Sequence, residues 1–189
     1  MDESTMAIRG LSFRRKARTM AHVVLMTFAV PMIAAAADGE PRFETPGFEH
    51  VLTVRATIDA PIQMGTTPQG QRRVIPISGG TFDGPGMKGT IMPGGEDWQV
   101  LREDGVTELD ARYWLRTDDG VIIRVHNEVL LSTPAQGAAD AKPYTRSVVK
   151  FEAPLGKYDW LNKAVFVGTL AVDASQRPPV VTLRFFKVI

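Results

Sequence analysis

The sequence predicts an all-β protein, a single antiparallel β-barrel of roughly eight to ten strands with little helix. Residues 77–99 hold seven glycines and two prolines around short apolar pieces. Such a segment cannot form a long helix and is typical of a meandering sheet. Most other segments alternate apolar and polar residues, and sequential hairpins follow one another. We favour a barrel over a sandwich because up-and-down strand order closes naturally and hides the sheet edges.

The first 37 residues have the pattern of a secretory signal peptide. Five basic residues within positions 9–18 precede an apolar run, 21–36, which ends in three alanines. This order of basic, apolar and small residues is typical of a leader that is removed on export. The apolar run is shorter than the ~20 residues that a spanning helix needs, and Pro31 interrupts it. We predict cleavage after Ala36 or Ala37 and a periplasmic or secreted protein.

The predicted mature chain has an arm, residues 38–47, and one β-barrel domain, residues 48–189. Without residues 1–37, the chain keeps 17 basic and 19 acidic residues. A weakly acidic chain lacks the basic surface that attracts nucleic acid or anionic lipid, so we expect neither nucleic acid nor membrane as a partner after cleavage. The absence of cysteine excludes disulfides, thiol catalysis and thiolate metal ligands.

Alternation of apolar and polar residues predicts the strands, and turn residues separate them. In chain order the predicted strands are 48–58, 73–82, 87–92, 97–102, 106–117, 121–131, 144–152, 164–172 and 180–188. Pro76 favours an edge or a bulge in the second of them. Residues 61–70 are expected to form turns, and the Ala/Gly/Pro-rich residues 132–142 a mobile loop. Residues 154–163 are expected to be irregular, with one helical turn.

The hairpin within residues 106–131 allows its register to be predicted. A two-residue loop at Asp119-Gly120 would mix apolar and charged side chains on both faces. A three-residue loop with Gly120 in the left-handed region pairs Thr117 with Val121 and separates the two kinds of side chain. We therefore predict the three-residue loop.

Several ordered motifs resemble those of the family of domain of unknown function 3237. They are Gly79-Gly80, GPGMKGTIMPGGEDW at 84–98, Leu109 to Arg112 with Thr117 to Gly120, Tyr144-Thr145-Arg146, Phe151-Glu152, and Tyr158 to Asn162 with Gly168. The likeness covers roughly residues 50–189. It implies a single antiparallel β-barrel and favours Asp110 and Arg112 as site members, but it implies no agreed reaction.

Asp97 and Trp98 follow a Pro-Gly-Gly-Glu turn where a loop enters a strand. Asp97 is a candidate acid or base, and Trp98 a wall on which a ligand stacks. The alternative is an aspartate that caps the turn and a tryptophan that fills the core.

Four charged or titratable residues share one face of the predicted hairpin, with Asp110 opposite Glu128 and Arg112 opposite His126. Two close carboxylates titrate as a pair, which suits proton transfer if this face points into the barrel. If the face points outward, it is a solvated surface on which Arg112 screens the acids, and this is the simpler interpretation.

A second polar and aromatic group consists of Tyr144, Arg146, Glu152, Tyr158, Trp160 and Asn162. It offers the apolar walls and few polar groups that a pocket needs, and Arg146 could bind a carboxylate, phenolate or enolate oxygen. The alternative is an ion pair of Arg146 with Glu152 or Asp110, together with an aromatic plug at one barrel end.

The sequence thus predicts a small-molecule-binding barrel, with Asp97, Asp110 and Arg146 as candidate catalytic residues. Candidate ligand contacts are Trp98, Arg112, Tyr113, Tyr144, Glu152, Tyr158, Trp160 and Asn162. Proton transfer, hydration or ring opening on a small cyclic or aromatic substrate is the first hypothesis. A periplasmic carrier or sensor of a small apolar ligand is the second, and a structural barrel without a cavity the third. His50 and His126 lack metal-like spacing, so neither a metal nor a cofactor is expected.

Overall fold

A computed structural model describes residues 43–133 and 143–189 of the chain. The predicted signal peptide, residues 38–42 of the predicted arm and residues 134–142 of the predicted loop lie outside the described residues. The described part of the chain forms one compact unit, Glu44–Ile189. Within these ranges, no helix has the length and apolar character that crossing a membrane requires.

Ten antiparallel strands make up this unit, and nine of them lie where the alternating pattern predicts a strand. They are β1 (Phe48–Ile58), β2 (Ile62–Thr67), β3 (Gly70–Gly84), β4 (Met87–Ile91), β5 (Gly95–Leu101), β6 (Val106–Thr117), β7 (Ile122–Ser132), β8 (Tyr144–Glu152), β9 (Phe166–Asp173) and β10 (Val180–Val188). A short 3-10 helix, Asp159–Lys163, joins β8 to β9 and supplies the helical turn expected there.

The sheet closes into a barrel of eight positions because β1 pairs with both β10 and β3. Strands β4 and β5 share one position between β3 and β6, since β4 pairs with the second half of β3 and β5 with the first half. The remaining strand, β2, lies outside the ring and pairs with β3. The predicted barrel is confirmed, and closure leaves few free edges.

The prediction that residues 61–70 form only turns is wrong, because β2 lies within them. Its alternation is interrupted by a bulge between Gln63 and Gly65, which hides the period-two pattern from the sequence. Pro76 lies in β3 between the stretch that pairs with β2 and the stretch that pairs with β1. A residue without an N–H group is tolerated at such a break in the ladder.

The three-residue loop between β6 and β7 is confirmed. The Thr117 amide donates to the Val121 carbonyl at 2.9 Å, and Gly120 has a φ of 85°. Asp110 therefore lies opposite Glu128, and Arg112 opposite His126, as predicted. Alternate residues of both strands point inward, among them Tyr113, Leu115, Ile123 and Val125, all of which are buried.

One end of the barrel, which we call the plugged end, is filled by aromatic side chains. Phe151 and Phe166 pack edge to face with ring centroids 5.0 Å apart, and Trp160 of the 3-10 helix lies 5.9 Å from Phe166. Leu161 and Tyr158 are also buried there. Each such side chain stabilises the fold by roughly 1.5–3 kcal/mol through burial.

Candidate functional site: the interior cavity

The other half of the barrel encloses an interior cavity of about 240 Å³. Most of its wall is aliphatic, contributed by Ala56, Ile58, Ile75, Ile77, Leu109, Ala111, Val129, Leu131, Leu170, Val172, Val181 and Leu183. Five polar residues complete it: Arg73, Asp97, Gln99, Tyr113 and Asn127. The outer lining residues Ile58, Leu131 and Leu170 are only partly buried, so the cavity faces the end opposite the plug. Apolar walls with a few convergent polar groups are typical of a small-molecule site.

The strand register brings two of these polar side chains to either side of one small residue. Asp97 of β5 lies opposite Ala111 of β6, and Ala111 lies opposite Asn127 of β7. All three residues point inward. Because alanine carries only a methyl group, the space in front of it stays open between the carboxylate and the amide.

Tyr113 reaches the same space because its neighbour on β5 is a glycine. A Cβ atom added to Gly95 would lie 2.6 Å from the Cβ of Tyr113, closer than real Cβ contacts come. Tyr113 is 2% exposed and lines the cavity. The absence of a side chain at Gly95 therefore lets the tyrosine pack close against β5.

A chain of hydrogen bonds holds the carboxylate of Asp97 in place. Arg73 Nε donates to Gln99 Oε1 at 2.8 Å, and Gln99 Nε2 donates to Asp97 Oδ2 at 2.5 Å. Gln99 is buried, and its side-chain amide, held by Arg73, orients the Asp97 carboxylate. One carboxylate oxygen is thus fixed, whereas the other has no hydrogen-bond partner among the described residues.

Burial changes the protonation of both acids in the cavity. Removal from water raises the pKa of Asp97 to about 6, against the opposing hydrogen bond from Gln99 and the charge of Arg73. Burial, together with the nearby Asp97 carboxylate, also raises the pKa of the Tyr113 phenol above its usual value. Near neutral pH, Tyr113 is therefore a hydrogen-bond donor, whereas Asp97 exchanges its proton readily.

Several buried polar atoms in this region have no hydrogen-bond partner among the described residues. Those in the cavity are Oδ1 of Asp97, the hydroxyl of Tyr113 and both amide atoms of Asn127, and the hydroxyl of Ser147 lies outside the cavity lining. Each unpartnered buried group costs about 1–3 kcal/mol, so a fold that keeps several in one place is unusual. A ligand that bonds to these atoms would offset the cost.

The other candidate catalytic residues lie outside the barrel wall. Trp98, Asp110, Tyr144 and Arg146 line an open outer groove of about 990 Å³ across β5 to β9. Arg146 donates to the carbonyl of Thr145 and stacks over the Tyr144 ring, with its guanidinium carbon 5.4 Å from the centroid. The structure therefore does not bring Asp110 or Arg146 together with Asp97.

The charged face of the hairpin points outward, which the simpler interpretation predicted. Arg112 binds both carboxylate oxygens of Asp110 at 3.0 Å, and His126 Nε2 lies 2.8 Å from Oδ1. Partial burial works against ionisation, but these bonds and charges hold the pKa of Asp110 below its usual value. Glu128 lies near Lys150, at 3.8 Å. Asp110 is therefore ionised near neutral pH and does not exchange a proton in that range.

The remaining candidate ligand contacts have structural partners away from the cavity. Glu152 pairs with Arg124 at 3.1 Å rather than with Arg146, so the predicted ion pair between Arg146 and Glu152 is wrong. Tyr158 donates to Asp119. Trp160 packs in the aromatic plug at one barrel end, which was the other part of the predicted alternative. The side-chain amide of Asn162 accepts from the Ala153 N–H and donates to the Ala153 carbonyl, which fastens the 3-10 helix to β8.

The sequence match to known proteins agrees with the fold. Residues 46–188 match the family model described as protein of unknown function, DUF3237. The chain belongs to the DUF3237 family. A UPF0311 protein of Clostridium acetobutylicum is 34% identical over 151 residues, which cover 75% of this chain and 93% of that protein. The predicted resemblance is therefore confirmed.

Solved structures similar to this DUF3237 protein have the same barrel. A protein from Acinetobacter baumannii, described as β-barrel like, is 28% identical with a TM-score of 0.69, and the match covers 79% of this chain and 100% of that one. A protein from Penicillium herquei, described as an enzyme, is 23% identical with a TM-score of 0.62, covering 79% and 99%. The second likeness shows the fold alone.

Three polar residues of the cavity escaped the sequence analysis. Arg73 and Asn127 alternate in phase with apolar neighbours on their strands, whereas Gln99 lies in phase with Asp97 and Leu101. A polar residue in phase with a buried face is the signal that could have found Arg73 and Asn127, since such residues are rarely buried without a role.

Proposed function

We propose that this DUF3237 protein binds a small ring compound in the interior cavity and catalyses a proton transfer on it, as in hydration or ring opening. Asp97 serves as the acid and base. The observation that supports this most directly is a partly buried carboxyl group with one oxygen oriented by Gln99, the other oxygen buried and unpartnered among the described residues, and a pKa raised to about 6. A general acid or base works best when its pKa lies near the working pH.

The cavity sets the size of the ligand. Its volume of about 240 Å³ exceeds the ~150 Å³ of an apolar cavity that takes benzene. It is smaller than the ~300–1,000 Å³ of sites for drug-sized molecules. A single substituted ring fits these limits.

A carrier or sensor of a small apolar ligand is the second candidate, favoured by the mostly aliphatic wall. It needs binding but no turnover. The enclosed volume counts against the third hypothesis, a barrel packed solid. The Penicillium protein, although described as an enzyme, shares only the fold, so the proposal depends on the cavity itself.

Export to the periplasm or the exterior is part of this proposal, with the small molecule as partner and neither nucleic acid nor membrane. It is supported by the basic, apolar and small-residue order of residues 9–36. Cell fractionation and amino-terminal sequencing test it. A mature chain that begins at Ala37 or Asp38 is expected, and an uncleaved cytoplasmic chain would contradict it.

The test of function starts with mass spectrometry of whatever copurifies with the protein, followed by a melt-shift screen of lactones and aromatic acids. For any compound that is turned over, Asp97→Asn should abolish turnover and keep the fold. Asp110→Asn removes an equal charge from the adjacent strand on the outer face and should leave turnover intact. Loss of turnover in Asp110→Asn alone would move the site to the outer groove.

A further inference from the structure

The unpartnered atoms of the interior cavity define what a ligand must offer. Tyr113 and Asn127 are 2% and 1% exposed, and they leave one hydroxyl and both amide atoms without a partner among the described residues. A phenol O–H and an amide N–H are both donors, and they call for an acceptor with two lone pairs. A carbonyl oxygen meets both from one atom.

The charges of the cavity favour a ligand without a formal charge. Arg73 and Asp97 line the cavity together and are joined through Gln99, so the one cationic and the one carboxylate side chain of the lining already balance. A carboxylate ligand beside Asp97 would place two like charges in a poorly hydrated space, which is unfavourable. An ammonium ligand would likewise meet Arg73.

The register places the acid beside the two donors rather than among them. Asp97 and Asn127 flank Ala111 from opposite sides, and Tyr113 follows Ala111 by two residues on the same inward face of β6. A carbonyl held by Tyr113 and Asn127 therefore has its neighbouring carbon on the side of Asp97. This is the arrangement that removal of a proton next to a carbonyl needs.

From this geometry we propose that the substrate is an uncharged cyclic compound with an enolisable carbonyl, whose oxygen is held by Tyr113 and Asn127 while Asp97 exchanges the proton on the adjacent carbon. The inference rests on the proposed function of the same cavity. It adds the class of substrate and the two residues that recognise it.

The step balances without a further reactant. Asp97 Oδ1 takes the proton as the C–H bond breaks. The electron pair of that C–H bond forms a C=C bond to the carbonyl carbon, and the carbonyl oxygen becomes an enolate oxygen. Tyr113 and Asn127 donate to that oxygen as its charge develops. The enolate then either regains the proton from Asp97 at the same carbon or expels an oxygen from the next carbon. That oxygen takes the proton from Asp97 and leaves as water or as the hydroxyl group of an opened ring.

The first test compares two probes of equal shape that are both uncharged at neutral pH, phenol and toluene. The phenol carries the oxygen of an enol on a ring, whereas the toluene carries a methyl group in its place. Calorimetric titration should show that the phenol binds about tenfold to a hundredfold more tightly, as expected for a hydrogen-bonded oxygen. Tyr113→Phe and Asn127→Leu should each remove most of this difference. Asp83→Asn, an exposed carboxylate paired with Arg55, is the control and should keep it.

The outcomes separate this inference from the function on which it rests. If both probes bind equally, the oxygen is not recognised and the inference is overturned, while the cavity remains a ligand site. If neither binds, the proposed function fails with it. If the difference persists in both Tyr113→Phe and Asn127→Leu, these residues do not hold the oxygen and the inference is again overturned.

The second test follows proton exchange directly. Cyclohexanone in deuterated buffer should lose the protons next to its carbonyl faster with the protein than without it, as measured by proton NMR. Asp97→Asn should abolish this acceleration, and Tyr113→Phe should lower it about tenfold or more. Equal exchange with the protein and with Asp97→Asn would overturn the proton step.

Discussion

Replacing Asp97 by asparagine should stabilise the protein at neutral pH, although it removes the group proposed to act on the substrate. Asp97 is partly buried, and one of its oxygens is fully buried without a partner among the described residues. An asparagine keeps the size of the side chain and its link to Gln99 but carries no charge. The penalty for holding a carboxylate away from water disappears with it.

The magnitude follows from the change in the pKa of Asp97, from 3.8 to about 6. Between these values the folded state binds a proton that the unfolded state has released, so stability falls as the pH rises. At 1.36 kcal/mol per pKa unit, the full loss is about 3 kcal/mol above pH 7. About 2 kcal/mol of it develops between about pH 4.5 and pH 8. The stabilising protonated form is thus fully present only below about pH 4.

Urea denaturation of both proteins at the two pH values measures this difference, with tryptophan fluorescence as the probe. The advantage of Asp97→Asn over the wild type should grow by about 2 kcal/mol from pH 4.5 to pH 8, because the other titrating groups cancel in the comparison. Asp83→Asn, on the exposed surface, should show no such growth. Parallel stability profiles for Asp97→Asn and wild type would refute the account of a buried, proton-binding carboxyl.

Four further substitutions test the cavity, the contact of β5 with Tyr113 and the plug, each by urea denaturation. Tyr113→Phe and Asn127→Leu remove buried unpartnered polar atoms, so each should leave stability unchanged or raise it by about 1 kcal/mol. Each should also weaken ligand binding. Clear destabilisation would mean that the removed atoms have hydrogen-bond partners. Gly95→Ala should cost about 1–3 kcal/mol, because its Cβ would meet Tyr113 at 2.6 Å, whereas Gly86→Ala, with open space around it, should cost far less. Asn162→Ala removes two bonds to Ala153 and should cost about 2 kcal/mol without changing probe binding in the cavity; altered binding would link the plug to the site.

The loop and the register of the β6–β7 hairpin could be predicted from the sequence. Its three-residue loop, and therefore the pairing of Asp110 with Glu128, follow from separating apolar from charged side chains. The same reasoning favours an outward charged face, and the structure agrees. Alternation tells which residues share a face, and burial of the apolar face then decides its direction.

The sequence did not show which of two neighbouring acids, Asp97 or Asp110, points into the barrel. Asp97 and Asp110 were equal candidates, but β5 turns Asp97 inward and β6 turns Asp110 outward. The Gly- and Pro-rich approach to β5 obscures the phase of that short strand, so the direction of Asp97 was open. The pairing of β6 with both β5 and β7 then brings Asn127 to the same cavity, and the pairing of β1 with both β3 and β10 closes the barrel around it.

A crystal structure of the protein soaked with phenol tests the central claim most directly. We expect the ring inside the barrel, with its oxygen within hydrogen-bond distance of Tyr113 and Asn127 and with Asp97 beside it. A probe found only in the outer groove, against Trp98 and Arg146, with the interior left without it, would contradict the assignment of the interior cavity as the functional site.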